Sequence, residues 1–261
     1  MKQIGISDPI IKHIRSQKRQ QTNRNIVLVE DLFIISLARK YEFEIELFLY
    51  CPEVCYKAEH DELVHHLANV AKESYEISAK TYESIVDKEN SAGLFIIVRK
   101  EYGQKPVTLP ENAFVLVVDR IENPGNLGTI IRTADAVDVD LFILVDGITH
   151  SNSVKTTASS RGMNLIVPIW ETSFEEANEF LDKHQVTRYL GEPVEGLNYR
   201  ESVFRGSIAI VVGNERFGIN QKWYEYPHEK TFIPMYGEMT SLNVGVATSI
   251  LLYEALSKRK L

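Results

Sequence analysis

Apolar positions in the first hundred residues follow two different periods. Between residues 31 and 40 they recur three and four residues apart, which predicts a helix with one apolar face, and residues 61–72 repeat that spacing. Shorter apolar runs predict strands. The elements predicted for this half are helices opening at Ser7-Asp8-Pro9 and covering 31–40, 61–72 and 78–86, with strands at 26–29, 44–50 and 93–98. This half is therefore predicted to be a small α/β unit.

The second half alternates apolar strands with helices. The runs at 114–119 (FVLVVD) and 208–212 (IAIVV) are apolar at nearly every position, as strands of a parallel sheet covered on both faces are. Further strands are predicted at 141–145, 165–169, 187–190 and 230–233, and helices at 128–137, 153–160, 174–184 and 241–258. Such a sheet holds ligands in loops at the carboxyl ends of its strands.

The segment 101–111 separates these two halves. It contains a glycine and two prolines and shows little periodicity, which is typical of a domain boundary. We therefore predict one domain at 1–105 and a second at 111–261.

Composition excludes several classes of protein. Of the 261 residues, 44% are apolar and 25% are charged, which is typical of a globular chain. No apolar run is long enough to cross a membrane, and the start of the chain lacks the apolar core of a secretion signal. Two cysteines suit a reducing, cytoplasmic setting. The net charge of −7 argues against uniform coating of nucleic acid.

The positive charge is concentrated in an N-terminal arm. Residues 1–25 carry six lysines and arginines against a single acidic residue, and this segregation favours a local contact with an anionic partner. Charge alone is equally compatible with a solvated helix face. The arm residues that we consider for phosphate contacts are Lys12, Arg15, Lys18, Arg19 and Arg24.

The loop after strand 114–119 is the first of three that carry chemical groups. It runs from Asn123 to Gly128 (NPGNLG) and leads into a helix, whose N-terminal N–H groups favour anions. Arg132, one turn into that helix, is a candidate for clamping a phosphate in a bidentate manner. A tight turn followed by a surface arginine is the plain alternative.

The second loop follows strand 208–212. It reads GNERFG, and its glycines, Gly213 and Gly218, permit a close approach of the backbone to a flat ligand. Glu215 lies just past the strand, where a carboxylate is placed to meet Arg132 or a substrate hydroxyl. A glycine-rich turn with a solvated charge pair is the alternative.

The third loop leads from strand 230–233 into the last helix. Ser241 stands at the predicted start of that helix as a candidate for a chemical role, with an ordinary N-cap as its plain alternative. Asn243 has a poor helix propensity one turn in, which favours a chemical role for it. The small residues Gly245, Ala247 and Ser249 thin one face of the helix, so that another backbone or a partner chain can approach.

Together and in this order, the three loops resemble the motifs of the SpoU (TrmH-type) family of SPOUT RNA 2′-O-ribose methyltransferases. The similarity runs through NPGNLGTIIRTADA, VVGNERFGI and IPMYGEMTSLNVGVATSILLYE and covers 111–261. The family usually has serine where this chain has Gly245. The segment SDPIIK with Arg24 and Val29-Glu30 is similar to the family's L30e-like RNA-binding extension, whose usual Glu-Gly is Glu30-Asp31 here.

The resemblance implies a fold, a cofactor and an activity. The fold is α/β, with a C-terminal SPOUT domain that has a parallel sheet and a trefoil knot, preceded by a smaller L30e-like RNA-binding domain. The cofactor is S-adenosylmethionine, and the methyl acceptor is a ribose 2′-hydroxyl of ribosomal or transfer RNA. The protein is expected to be a cytoplasmic homodimer that binds neither membrane nor DNA. Both RNA maturation and resistance to a ribosome-binding antibiotic are compatible with this activity.

Two other functions compete with this one. A non-catalytic RNA-binding relative of the same fold is the alternative, although it has no chemical need for Arg132, Glu215, Ser241 and Asn243 together. A nucleotide-dependent oxidoreductase is disfavoured because no G-x-G-x-x-G follows a strand.

The resemblance also assigns roles to individual residues. Cofactor-binding positions fall on Leu190, Gly213, Ile233 and Leu242, and catalytic positions on Asn126, Arg132, Glu215, Ser241 and Asn243. Because a guanidinium stays protonated near neutral pH, we interpret Arg132 as a phosphate clamp and alkoxide stabiliser rather than as a base. Glu215 either orients Arg132 or accepts the proton through water. Arg161 is a further candidate RNA phosphate ligand, with an ordinary helix C-cap as its alternative.

A cluster of potential metal ligands occurs at Cys51, Cys55, His60 and His65. The central gap of this pattern is very short for a zinc site, so we favour free thiols and surface histidines. The implied reaction needs no metal, because the sulfonium cofactor is already the electrophile.

Overall fold

The computed structural model describes residues 1–20, 23, 25–55, 60–87 and 92–259. The strands, numbered along the chain, are β1 (Lys2–Gln3), β2 (Ile26–Val29), β3 (Glu44–Tyr50), β4 (Glu73–Glu76), β5 (Leu94–Arg99), β6 (Phe114–Asp119), β7 (Leu141–Val145), β8 (Ile169–Thr172), β9 (Thr187–Glu192), β10 (Leu197–Asn198), β11 (Ile208–Val212) and β12 (Glu229–Phe232). The helices are α1 (Pro9–Gln20), α2 (Leu32–Lys40), α3 (Asp61–Val70), α4 (Ala79–Glu83), α5 (Pro124–Ala136), α6 (Val154–Ser160), α7 (Phe174–Lys183) and α8 (Val244–Arg259).

The chain divides into two compact units. The first comprises Met1–Glu101 together with Asn152–Gly162, and the second comprises Tyr102–Ser151 together with Met163–Leu261. The short segment Asn152–Gly162, which contains α6, was placed in the second domain by the sequence analysis and is grouped here with the first unit.

A five-stranded mixed sheet in the order β1-β4-β3-β5-β2 forms the centre of the first unit. β4 runs parallel to β1 and β3, whereas β5 is antiparallel to β2 and β3. Helix α1 buries Ile11 and Ile14 in a core that also contains Leu49, Tyr82 and Phe95. The apolar periodicity of this half therefore becomes one α/β core, as predicted.

The second unit is built on a seven-stranded sheet in the order β10-β12-β9-β11-β6-β7-β8, and all of its pairings are parallel. From β6 the chain moves through β7 to β8, and then crosses to the other side to form β9, β11 and β12. The order therefore reverses between β6 and β11. Loops at the carboxyl ends of these two strands lie side by side, which is where such sheets bind ligands. The predicted parallel α/β sheet is confirmed.

Three predicted elements begin three or more residues away from their predicted starts. The strand predicted at 165–169 is a 3-10 turn at Met163–Leu165, and β8 covers Ile169–Thr172 instead, because Pro168 lacks the N–H that a ladder needs. Helix α5 begins at Pro124 rather than at residue 128, and α8 begins at Val244 rather than at residue 241. In the described part of the chain no helix is both long and apolar enough to cross a membrane.

Candidate active site

The three loops of the sequence analysis line one cavity of about 1120 Å³ in the second unit. Seven predicted site residues line it, namely Asn126, Gly213, Glu215, Ile233, Ser241, Leu242 and Asn243. Two predicted residues do not. Leu190 is fully buried in the core, and the lining begins at the next residue, Gly191. Arg132 is exposed on α5 outside this lining.

The first loop is held by the residue that precedes α5. Asn123 has extended backbone geometry, and its Oδ1 accepts hydrogen bonds from the N–H groups of Gly125 at 2.8 Å and Asn126 at 3.4 Å. Pro124 occupies the first turn, where a missing N–H costs nothing. This cap starts the helix four residues earlier than predicted, and Asn126 consequently lies in its first turn, on the cavity wall.

Glu215 of the second loop anchors the first loop. Its Oε1 accepts from Asn123 N at 3.1 Å and from Asn126 Nδ2 at 2.9 Å, and its Oε2 accepts from Glu122 N at 3.2 Å. Burial raises the pKa of this carboxyl, but the hydrogen bonds from Asn126 and the backbone outweigh burial and hold the pKa below its usual value. Glu215 is therefore ionised at neutral pH. The bonds described for it go to the first loop, not to Arg132 as expected.

Asn243 is the N-cap of α8. Its Oδ1 accepts from Gly245 N at 2.9 Å and Val246 N at 3.4 Å, and its backbone carbonyl accepts from Ala247 N. The plain alternative for Ser241, an N-cap of this helix, is excluded because the helix begins after Asn243. The low helix propensity of Asn243 was a signal for a cap, since asparagine competes for backbone N–H groups at a helix start.

A chain of side-chain hydrogen bonds joins all three loops. Asn243 Nδ2 donates to Asn126 Oδ1 at 3.0 Å, and Asn126 Nδ2 donates to Glu215 Oε1 at 2.9 Å. These bonds fix the orientation of both amides. Each Nδ2 carries a second N–H with no partner among the described residues, and this N–H is available to a ligand in the cavity.

Asn214 is a structural residue that the sequence analysis passed over. Its side chain is buried, its Oδ1 accepts from Arg216 N and Phe217 N, and its Nδ2 donates to Arg120 O at 2.8 Å and Glu122 Oε1 at 3.1 Å. It therefore fastens the second loop to the first. An asparagine between a strand and a glycine turn was the available signal.

Gly213 is required by its own loop. A Cβ at this position would lie 2.2 Å from the carbonyl carbon of Gly218 and 2.3 Å from Ile219 N. The backbone, rather than a ligand, therefore occupies the space that a side chain would need.

The small residues of α8 serve packing within the chain. A Cβ on Gly245 would lie 3.2 Å from Thr129 Cγ2, and Ser249 Oγ lies 2.9 Å from Thr133 Oγ1, so this face of α8 packs on α5. The face that remains open carries the half-exposed Val246 and Tyr253. Of the two neighbours expected for this small-residue face, another backbone or a partner chain, α5 of the same chain covers part of it.

The predicted RNA-binding cations have different environments. Lys12 and Arg19 are exposed, whereas Arg15 Nε donates to Ser84 O at 3.3 Å. Lys18 Nζ donates to Glu30 Oε2 and to Ile85 O, both at 2.9 Å, so its charge is used within the first unit. Arg161 caps α6, and Arg24 lies outside the described residues.

The two cysteines are buried free thiols, and burial raises the pKa of both. Cys55 Sγ lies 3.6 Å from His60 Nδ1. Within the described ranges, no group of three or more His, Cys, Asp or Glu side chains has the arrangement of a metal site.

The comparisons with known proteins point to one family. The model of the SpoU rRNA Methylase family matches residues 113–253, more than half of the chain. A curated relative, the 23S rRNA (guanosine(2553)-2′-O)-methyltransferase RlmP of Bacillus subtilis, is 36% identical over 139 residues, which are 53% of this chain and 56% of that protein. The chain thus matches little more than half the length of that relative.

Two solved structures match nearly the whole chain. One is an AdoMet-bound rRNA methyltransferase from Sinorhizobium meliloti, with 25% identity, a TM-score of 0.85 and coverage of 97% of both chains. The other is described as an RNA 2′-O ribose methyltransferase, with 27% identity, a TM-score of 0.82 and coverage of 100% of both chains. The fold and site thus define an α/β protein of the SPOUT methyltransferase type. This chain belongs to the SpoU rRNA methylase family.

Proposed function

We propose that this protein transfers a methyl group from S-adenosylmethionine to a ribose 2′-hydroxyl of ribosomal or transfer RNA. The observation that carries the proposal is the hydrogen-bonded chain from Glu215 through Asn126 to Asn243. It assembles groups from all three loops on the wall of one cavity. A non-catalytic RNA-binding relative, the alternative function, has no use for such an arrangement.

The chemistry of the cavity suits this cofactor. Apolar side chains of Ile219, Ile233, Leu242 and Leu251 line it and offer faces for a purine ring. The carboxylates of Glu122, Glu192 and Glu215 also line it and favour a cationic sulfonium. When bound, the cofactor supplies an electrophilic methyl group, so no metal is needed to activate it.

The residues of the chain position the acceptor hydroxyl. Asn126 and Asn243 each have a second amide N–H for an oxygen in the cavity, and Ser241 adds a hydroxyl on the same wall. Glu215 already accepts three N–H groups, so it holds the first loop in place while these residues orient the ribose. Gly213, Ile233 and Leu242 hold the cofactor, and Arg132 clamps the adjacent phosphate.

We propose that the protein is a homodimer that uses the open face of α8. Val246 and Tyr253 lie there seven residues apart, with Ile250 between them, so they form one apolar row. We further propose that Arg132, which is exposed and lies outside the cavity lining of its own chain, serves the cavity of the partner in this dimer. Light scattering should give about twice the 29.8 kDa chain mass, and Tyr253→Glu should yield a monomer. A monomeric wild-type protein at micromolar concentration would contradict this assembly.

The finer features implied by the family belong to the same proposal. They are a trefoil knot in the 111–261 domain, an L30e-like RNA-binding domain at 1–105, and action in the cytoplasm on RNA rather than DNA. Only the family resemblance supports the knot, and the mixed α/β sheet of the first unit is compatible with the RNA-binding domain. Lys12, Arg19 and Arg161 are the exposed cations proposed to contact phosphates.

Two measurements test the activity. Calorimetry should show binding of S-adenosylmethionine and none of NAD. Tritiated S-adenosylmethionine should then label ribosomal or transfer RNA taken from cells that lack the gene, and the label should map to a ribose 2′-oxygen. RNA binding without methyl transfer would support the non-catalytic alternative instead.

A further inference from the structure

The exposed face of α2 carries an aromatic side chain that nothing in the proposed reaction uses. Ile34, Ile35 and Ala38 bury the opposite face of this helix in the first unit. Phe33 stays 46% exposed at its first turn. Ser36 and Lys40 follow at three and seven residues along the helix, so the three side chains form one exposed row.

A guanidinium is held over the Phe33 ring. Arg161 follows α6, and its Cζ lies 5.0 Å from the centroid of the ring. Its position is set by the backbone, because Arg161 has a φ of 52° and Gly162 a φ of 77°. A Cβ on Gly162 would lie 2.6 Å from Ile34 Cγ2, so only glycine permits this contact between the end of α6 and α2.

A second pair of the same kind lies at the other end of the row. Lys40 Nζ lies 4.9 Å from the ring centroid of Tyr41, which is 41% exposed. Phe33 and Lys40 are seven residues apart on the helix, about 10 Å along its axis. That distance matches roughly three base steps of a stacked strand, at ~3.4 Å each. The row is therefore long enough for several nucleotides.

The chemistry of the row fits an unpaired strand of RNA. Aromatic faces stack on bases of any identity, and an arginine beside them offers both a stacking plane and a phosphate ligand. In the N-terminal arm, by contrast, Lys18 and Arg15 are bonded within the first unit, which leaves Lys12 and Arg19 to attract phosphates at long range.

We propose that the α2 row, with Phe33 and Arg161 at one end and Lys40 and Tyr41 at the other, binds unpaired nucleotides of the RNA substrate by stacking. This inference rests on the proposed function, since it takes RNA as the partner. It adds a surface, remote in sequence from the three motifs, that selects single-stranded over fully paired RNA.

The stacking is tested by fluorescence. The chain has two tryptophans, Trp170 and Trp223, and both are buried in the second unit. Phe33→Trp therefore adds one exposed reporter on the row. Bulk ribosomal RNA should quench this added emission, and a fully paired RNA duplex should leave it unchanged. Wild-type protein titrated with the same RNA gives the background. Unchanged emission with ribosomal RNA that binds would overturn the proposal.

Affinity gives an independent measurement. Phe33→Ala should weaken binding of ribosomal RNA about five- to hundredfold with an unchanged salt dependence, because a stacked base and not a phosphate contact is lost. Arg161→Ala should weaken binding and also lower the slope of affinity against salt by about one. Val70→Ala, which removes an equally exposed apolar side chain from the same unit, is the matched control.

The outcomes separate the two proposals. If wild-type protein binds neither ribosomal nor transfer RNA, the proposed function fails. If wild-type protein binds and methylates RNA while Phe33→Ala binds as tightly as Val70→Ala, only the stacking surface is refuted. Equal losses on ribosomal RNA and on a paired duplex would also refute stacking. Unchanged affinity of each variant for S-adenosylmethionine confirms that the second unit is folded.

Discussion

Asn126 Nδ2 lies 2.9 Å from Oε1 of Glu215, although 89 residues separate them in the chain. The same carboxylate accepts the backbone N–H groups of Glu122 and Asn123. Glu215 belongs to the second loop, and its carboxylate thus accepts three hydrogen bonds from donors of the first loop. The charge of this side chain, and not only its shape, keeps the two loops together.

Acid should therefore loosen the site. The pKa of Glu215 is lowered in the folded protein, so its stabilisation is complete above the ordinary glutamate pKa and is lost as the pH falls through the lower folded value. We expect affinity for S-adenosylmethionine to be constant near neutral pH and to fall only in acid, below the ordinary range of a glutamate pKa. Glu215→Gln should bind about tenfold more weakly at neutral pH and lack this dependence. Calorimetry at several pH values measures this affinity, and Glu238→Gln, a change at an exposed glutamate, is the control. An identical pH profile for Glu215→Gln and wild type would exclude this role.

Substitution of Gly213 should disturb the fold as well as the site. Gly213→Ala places a Cβ 2.2 Å from the Gly218 backbone, so the loop must move. We expect a loss of about 1–3 kcal/mol in the free energy of unfolding, together with weaker cofactor binding. Gly237→Ala is the matched control, because a Cβ there has nothing within 4 Å. Thermal denaturation measures the stability of both variants, and calorimetry measures their affinity for the cofactor. Equal melting temperatures of the two variants would count against the close contact at Gly213.

Arg132 should matter for turnover and not for cofactor binding. It is exposed and lies outside the cavity lining of its own chain, so Arg132→Ala should leave affinity for S-adenosylmethionine intact. Single-turnover methyl transfer at saturating RNA should fall about a hundredfold or more, because a charge that stabilises the developing alkoxide is lost. Arg132→Lys should also be poor, since a point charge cannot replace a bidentate fork. Near-normal transfer by Arg132→Ala would remove Arg132 from the catalytic set.

The arm cations should separate into two groups. Lys12→Ala with Arg19→Ala removes exposed charges, so RNA binding should weaken and its salt slope should fall by about one per lost contact, with unfolding unchanged. Lys18→Ala should instead lower stability by about 1 kcal/mol, because Glu30 and the Ile85 carbonyl lose their donor. The dependence of its RNA affinity on salt concentration should remain that of the wild-type protein. Filter binding at several salt concentrations and urea unfolding decide between the groups, and a reduced slope for Lys18→Ala would contradict the assignment.

Local pattern predicted most of the sheet and the loops of the site. The runs at β6 and β11 are apolar throughout because both faces of the sheet are covered, and this signal is contained in a few adjacent residues. The start of α8 was mispredicted because Ser241 and Asn243 are both good caps and only the folded backbone selects one. The bond between Asn243 and Asn126 spans 117 residues, so no local periodicity contains it. Pro168 similarly displaced β8 from the apolar run that precedes it.

Asn243 starts a helix and completes the site with one side chain. Its Oδ1 caps α8, and its Nδ2 holds Asn126. Aspartate at this position would retain the cap. Its second carboxylate oxygen, however, would face the side-chain Oδ1 of Asn126, and two acceptors cannot form a hydrogen bond. Under the proposed function, a single exchange of Asn243 for aspartate is therefore a short evolutionary route to a stable, inactive descendant that keeps the same architecture.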